Sequence, residues 1–253
     1  MSVGVWTEGR LGFVELRRPP HNFFDAELVE AVADGFEQHD ADLGIGAVVL
    51  CATGRSFCAG ADFGARSDDG LGGEATNRLY AAAARLVSVG VPVVAAVHGA
   101  AIGGGLGLAL TASLRVTCPE ARFSANFVKL GIHHGFGLSV TLPELLGPAK
   151  AALVLLSGRR FTGDEATELG LADTCVGAEE VRPAAVALAA EIASGAPLAL
   201  RSINRTLREG LADRFRQATE HEADEQARLG RTADAGEGMR AVAERRPGRF
   251  TGR

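Results

Sequence analysis

The sequence predicts an α/β fold, and three observations carry the prediction. Apolar strands alternate with amphipathic helices, a triple-glycine turn joins a strand to an apolar helix, and beyond Leu138 the pattern turns wholly helical. Residues 12–16 alternate as a strand does, and Arg17, Arg18, Pro19 and Pro20 end it. Asp25 then stands at the cap of a helix whose apolar positions Leu28, Val29, Val32 and Phe36 recur at helical spacing. Residues 46–51 form an uninterrupted apolar strand of the fully buried kind, so one βαβ unit is visible early. A helix over 74–89 leads through Gly90 and Pro92 to a strand over 93–97, then to Gly103, Gly104 and Gly105. Short strands follow at 114–118 and 121–124. Helices are predicted over 140–146, 149–156, 163–169, 180–193, 197–210 and 213–228, with a short last one over 238–250 ending at Pro247. The chain divides into an α/β core over 1–190 and a helical region over 191–253. Several of the later helices carry two apolar faces, which predicts self-association.

Composition narrows the function classes. With 253 residues and 47% apolar content the chain can bury a sizeable core. A formal charge of −5 argues against general nucleic-acid affinity. No run approaches the roughly 18 uncharged apolar residues that a membrane span needs, and residues 1–10 lack a signal-peptide pattern, so the expectation is a cytoplasmic protein without a membrane partner. Cys51, Cys58, Cys118 and Cys175 form no CxxC pair and have no histidine at zinc spacing, so they read as core fillers and no metal site is expected. Lysine occurs only at 129 and 150, which leaves arginine to hold any phosphate.

The glycine turn at 103–105 is the point of chemical interest. Glycine lets a backbone approach a ligand closely, and the first turn of a helix has unpaired N–H groups that suit an oxygen gaining negative charge. Close packing alone would also select such a turn. Residues 54–63, GRSFCAGADF, are a second stretch whose small residues let backbone amides point outwards, and residues 64–73 read as a mobile polar loop.

These two stretches, in this order and about forty residues apart, resemble the crotonase family, also called the enoyl-CoA hydratase/isomerase family. The resemblance continues through FTGDEATELGLAD at 161–173 and into Glu237, Gly238, Met239, Glu244, Arg245, Arg246 and Phe250. It implies a spiral of ββα repeats with a C-terminal helical region that builds homotrimers, in some members paired into hexamers as dimers of trimers. It implies an acyl-CoA thioester as ligand, with coenzyme A as part of the substrate and no further cofactor. It also implies an oxyanion hole made by the backbone N–H groups of Ala61 and Gly104, and such donors stabilise an enolate or tetrahedral oxyanion without reorganising. By the same resemblance His21, Phe23, Ala59, Asp62, Phe63, Gly103 and Ile132 lie along the substrate channel.

The departures are as informative. Hydratases of this family use two glutamates, and the corresponding positions here are Gly107 and Phe127. Neither moves a proton, and each missing acid or base is worth about 10² to 10⁴ in rate. The aspartate of some dienoyl isomerases and a dehalogenating relative corresponds to Gly135. Phe127 and Gly107 together predict a reactive end that is apolar and roomier on the glycine side. His133 and His134 fall on the segment that runs along the acyl pocket and could replace a carboxylate as general acid or base; as turn residues at a helix start they would do neither. His98 reads as structural, Tyr80 as packing along its helix, Asp68, Asp69 and Glu74 as loop acids that close over the pocket or are simply solvated, and His39 and His221 as surface residues.

Overall fold

Parallel strands buried on both faces must be almost wholly apolar, and that is how the central strands of this chain read. The computed structural model describes residues 2–61 and 73–253. In chain order its elements are β1 Val3–Glu8, β2 Leu11–Leu16, α1 Ala26–Ala41, β3 Ala47–Ala52, β4 Ser56–Cys58, α2 Glu74–Leu86, β5 Val93–Val97, β6 Ala100–Ile102 and α3 Gly104–Leu110. There follow β7 Leu114–Thr117, β8 Arg122–Ser124, α4 Leu138–Leu146, α5 Pro148–Ser157, β9 Phe161–Thr162, α6 Gly163–Leu169, β10 Thr174–Cys175, α7 Val181–Ala193, α8 Pro197–Leu207, α9 Leu211–Leu229 and α10 Ala233–Ala243.

The strands form two sheets. One has the order β1-β2-β3-β5-β7-β10 and the other β4-β6-β8-β9. In the larger sheet only the β1–β2 pair is antiparallel; in the smaller one only β8–β9 is. Each pass of the chain adds one strand to each sheet, β3 then β4, β5 then β6, β7 then β8, which is the predicted spiral of ββα repeats. Helix α7 packs on β2, β3, β5 and β7, while α1 packs on β1 and β2.

Helix α1 forms where its cap and apolar stripe predict. The Asp25 carboxylate accepts the Leu28 N–H at 2.9 Å, and Leu28, Val29, Val32 and Phe36 are fully buried. The stripe runs one turn further than polarity suggested. His39, expected at the surface, is buried over Gly12, with Nε2 3.3 Å from the Phe13 carbonyl. Only a glycine fits beneath that ring, since a Cβ at residue 12 would lie 2.5 Å from it. Burial holds the His39 imidazole below its ordinary pKa.

The last helix is displaced from its predicted position. It begins at Ala233, where the Thr232 hydroxyl caps the Ala235 N–H at 3.1 Å, and ends at Ala243 rather than at Pro247. Beyond it the tail returns to the helix start, and the Asp234 carboxylate accepts the N–H groups of Thr251 and Gly252 at 2.7 Å. An acidic first turn thus holds the chain end, an arrangement with no periodic trace. Helix α6 carries a full capping box between Thr162 and Glu165 at its predicted start.

Replacing Asp25 by alanine removes a cap without touching the cavity floor. The expected cost is about 1 kcal/mol, a fall in Tm of about 3 °C by calorimetry, with α1 otherwise retained.

Candidate active site

Two backbone segments, residues 58–61 and 102–105, approach closely where glycines face the other chain segment. Gly60 (φ +84°) lies against the Ile102 carbonyl, and a Cβ there would come within 2.7 Å of that oxygen. Across from it a Cβ at Gly104 would sit 2.1 Å from the Phe24 ring, and one at Gly105 only 2.0 Å from the Cys58 carbonyl oxygen. Any side chain at these positions would force the segments apart. Residues 21–24 brace the contact from outside: the Phe24 N–H donates to the Gly60 carbonyl at 3.0 Å and the Ala59 N–H to the His21 carbonyl at 3.0 Å. Asn22, at φ +49°, is buried inside this strap. Its Nδ2 donates to the Thr53 and Ser56 carbonyls at 2.6 and 2.8 Å, and its Oδ1 accepts the Arg18 N–H. Sequence reading passed over it, although an asparagine between strand and helix is the residue that tolerates a left-handed backbone.

The contact opens into a cavity of about 560 Å³. Of the predicted binding residues, His21, Phe23, Ala59, Ala61, Gly103, Gly104, Phe127 and Ile132 line it. Asp62 and Phe63, together with Asp68 and Asp69, lie outside the described residues. The N–H groups of Ala61 and Gly104 meet no acceptor among the described residues. The cavity lining includes the exposed Arg122 and Arg160 and, besides these, Leu79, Tyr80, Leu130, Ile132 and Phe136.

Gly107 is not at the wall. It is buried beneath Phe136, whose ring atoms would stand 2.7 Å from a Cβ at residue 107. The space that the sequence suggested would be roomy is filled by this ring, which reaches it because residue 136 takes a left-handed backbone at φ +62°. Phe127 does line the cavity, its ring 3.5 Å from where a Gly103 Cβ would lie.

The two candidate histidines point into a different network. His134 Nε2 lies 2.8 Å from Ser139 Oγ, and that hydroxyl donates to Glu222 Oε1 at 2.6 Å. Glu222 on α9 is fully buried and also accepts the N–H groups of Gly137 and Ser139 at 2.8 and 3.0 Å. It caps α4 from another helix, satisfying amides that the helix itself cannot. Burial raises the Glu222 carboxyl above its ordinary pKa, against the pull of these hydrogen bonds. Burial, then the neighbouring His133 and His221, lowers His134 to about 4, so it is neutral at pH 7. With Ser139 Oγ committed to Glu222, that network assigns the His134 proton to Nε2. His133 stacks on His134 at 4.1 Å, and its Nδ1 lies 2.8 Å from the His134 carbonyl. Neither imidazole belongs to the cavity wall. His98 is also elsewhere, bonded through Nε2 to the Gly54 carbonyl at 3.0 Å, while Glu74 and His221 are exposed.

Two wall residues were missed as site residues. Tyr80, expected only to pack along its helix, donates from Oη to Gln226 Oε1 at 2.9 Å. Gln226 Nε2 donates in turn to the His133 carbonyl at 3.1 Å. Burial raises the Tyr80 hydroxyl well above its usual range and keeps it protonated. Gly135 is a glycine because a Cβ there would meet Tyr80 Oη at 2.2 Å. The group occupying this part of the wall thus comes from α2 rather than from the 133–137 loop. No cluster of histidine, cysteine or carboxylate ligands suited to a metal occurs among the described residues.

A family model described as enoyl-CoA hydratase/isomerase matches residues 7–253. A probable enoyl-CoA hydratase of Bacillus subtilis is 32% identical over 99% of both chains. From the same organism, the putative enoyl-CoA hydratase/isomerase YngF is 34% identical over 96% of this chain and 95% of its own. Among solved structures, an enoyl-CoA hydratase/isomerase from Pseudoalteromonas atlantica superposes with a TM-score of 0.86 at 29% identity, covering 99% of this chain and all of that one.

The buried imidazole makes stability depend on pH with a definite sign. A group whose folded pKa is lowered contributes stability above its unfolded value, here 6.5, and loses it as pH falls towards about 4. In His134→Gln that dependence is gone. The Tm difference between the native chain and the variant should therefore shrink or reverse between pH 7 and pH 4, read by thermal melts across that range.

Proposed function

This chain belongs to the enoyl-CoA hydratase/isomerase family, and we propose that it binds an acyl-CoA thioester and stabilises the oxyanion or enolate formed at its carbonyl. One observation carries the reading: the N–H groups of Ala61 and Gly104 stand on two segments that approach closely at Gly60, Gly104 and Gly105, and both residues line one cavity. A thioester carbonyl placed between them gains two hydrogen bonds as it acquires charge, and such donors are worth about 10² to 10³ each in rate. The exposed Arg122 and Arg160 of the lining suit the phosphates of coenzyme A, and its apolar residues suit an acyl chain. The coenzyme A of the substrate is the only cofactor this chemistry calls for.

The reaction we favour is not the two-glutamate hydration. By the family resemblance Gly107 and Phe127 hold the places of the two carboxylates, and Phe136 packs against Gly107. Isomerisation, decarboxylation and thioester cleavage all use a stabilised oxyanion and remain within reach of this site. Hydration with His133 or His134 as substitute acid or base is the alternative, and the bonding of His134 to the Ser139–Glu222 pair, away from the cavity, counts against it. A family member that binds acyl-CoA without turning it over is the other alternative. We further propose a homotrimer, extending to a hexamer as a dimer of trimers, in the cytoplasm. The exposed apolar side chains of Leu153, Leu156, Leu198, Ile203 and Leu207 support a partner surface of this kind.

Calorimetric binding of butyryl-CoA against S-butyl-CoA, which lacks the carbonyl, tests the oxyanion hole. The thioester should bind about tenfold tighter, and equal binding would remove the reading. In the same preparation crotonyl-CoA should be hydrated slowly or not at all. Rapid hydration that collapses in His133→Ala or His134→Ala would establish the histidine alternative instead. Turnover across 3-enoyl, malonyl and β-keto thioesters separates a catalyst from a binding protein.

A further inference from the structure

We infer that Tyr80 and Gln226 form the subsite that reads the acyl group, and that they select an acyl thioester bearing a hydroxyl on its acyl chain. The inference rests on the CoA-thioester reading above and adds to it the chemical class of the acyl group.

The orientation of the pair is fixed by a group that has no choice. The His133 carbonyl can only accept, so the Gln226 amide must turn Nε2 towards it, at 3.1 Å. Oε1 then faces Tyr80, and the phenol must donate, at 2.9 Å. The Phe136 N–H lies against the same phenol oxygen. One lone pair of Tyr80 Oη and one N–H of Gln226 Nε2 are left over, an acceptor beside a donor on the wall of the cavity. A hydroxyl satisfies both at once. A ketone oxygen engages only the N–H, and a methylene engages neither.

The surroundings make the match count. Leu79, Leu130, Ile132 and Phe136 flank the pair, so a saturated acyl chain that displaces water there leaves both polar groups unpaired. Sites built to hydrogen-bond a substrate group reject analogues lacking it far more strongly than apolar pockets reject an extra methylene. Both residues are themselves held: α2 packs on α9, and Gly135 leaves room for the phenol where any Cβ would meet it. The pair is thus a preformed reader of the acyl chain, separate in position from the N–H groups that hold the carbonyl.

Dissociation constants for butyryl-, acetoacetyl-, 3-hydroxybutyryl- and 4-hydroxybutyryl-CoA, measured by calorimetry, test this. The better of the two hydroxybutyryl thioesters should bind about tenfold or more tighter than butyryl-CoA, with acetoacetyl-CoA between them. Tyr80→Phe should bring the hydroxybutyryl value to within about threefold of the variant's own butyryl-CoA value, with a cooperative thermal melt showing that the variant is folded. Gln226→Leu, which frees the phenol and removes the donor, should erase the preference for acetoacetyl-CoA over butyryl-CoA. Equal binding of hydroxylated and saturated thioesters by the native chain overturns the inference, as does a preference that stays at about tenfold or more in Tyr80→Phe. If butyryl-CoA binds and only the preference is missing, the subsite fails and the thioester reading stands; if none of the four binds, both fail.

Discussion

The close approach of two backbone segments, residues 58–61 and 102–105, is the constraint on which the rest of this structure depends. Carbonyl oxygens of Cys58 and Ile102 press against Gly105 and Gly60 at distances that leave no room for a single Cβ. Each segment terminates a strand of the smaller sheet, β4 and β6, and those strands pair in parallel, so sheet register sets the approach. The strap at 21–24 then locks it from outside through backbone hydrogen bonds and the buried Asn22 amide. A site made in this way owes little to side-chain identity. It needs absence of side chains where backbones touch, and strands long enough to hold the register.

The C-terminal helices contribute to the wall of the same cavity. Helix α9 packs against α2 and α4 and places two residues one turn apart to different ends: Glu222 caps α4, and Gln226 holds Tyr80. Helix α10 lies on the turn Asn126–Leu130 and contributes Val242 to the cavity wall. This wall is therefore assembled from elements that are distant in the chain, and its polar groups include the Tyr80 phenol and the amides of Gln226 and Asn126.

Among the described residues several buried polar side chains are committed to partners that fix their orientation, although Arg201 Nε and Arg208 Nη1 have no hydrogen-bond partner. Glu222 is committed to α4 amides and to Ser139, which in turn assigns the His134 proton. Arg201, nearly fully buried, reaches the Ile45 and Asp42 carbonyls at 2.9 and 2.8 Å and fastens α8 to the end of α1. In the fold one ring nitrogen of each histidine of the 133–134 pair is bonded within the loop and helix start, His133 Nδ1 to the His134 carbonyl and His134 Nε2 to Ser139.

By itself the sequence determined the alternation of strands and helices, the cap at Asp25, and the two stretches of glycine and small residues, because each leaves a local signature. Periodicity reports burial, a capping residue reports an unpaired amide, and runs of glycine report backbone contact. Tertiary structure alone decided which distant side chains line the cavity. Tyr80 and Gln226 are separated by 146 positions and meet only because α2 packs on α9. Phe136 fills the space over Gly107 only through a left-handed backbone that no neighbouring residue announces. His39 joins the core only because Gly12 on a neighbouring strand leaves a gap for its ring. Contacts between distant side chains carry no period and no motif, so their chemistry becomes legible only when the fold has brought them together.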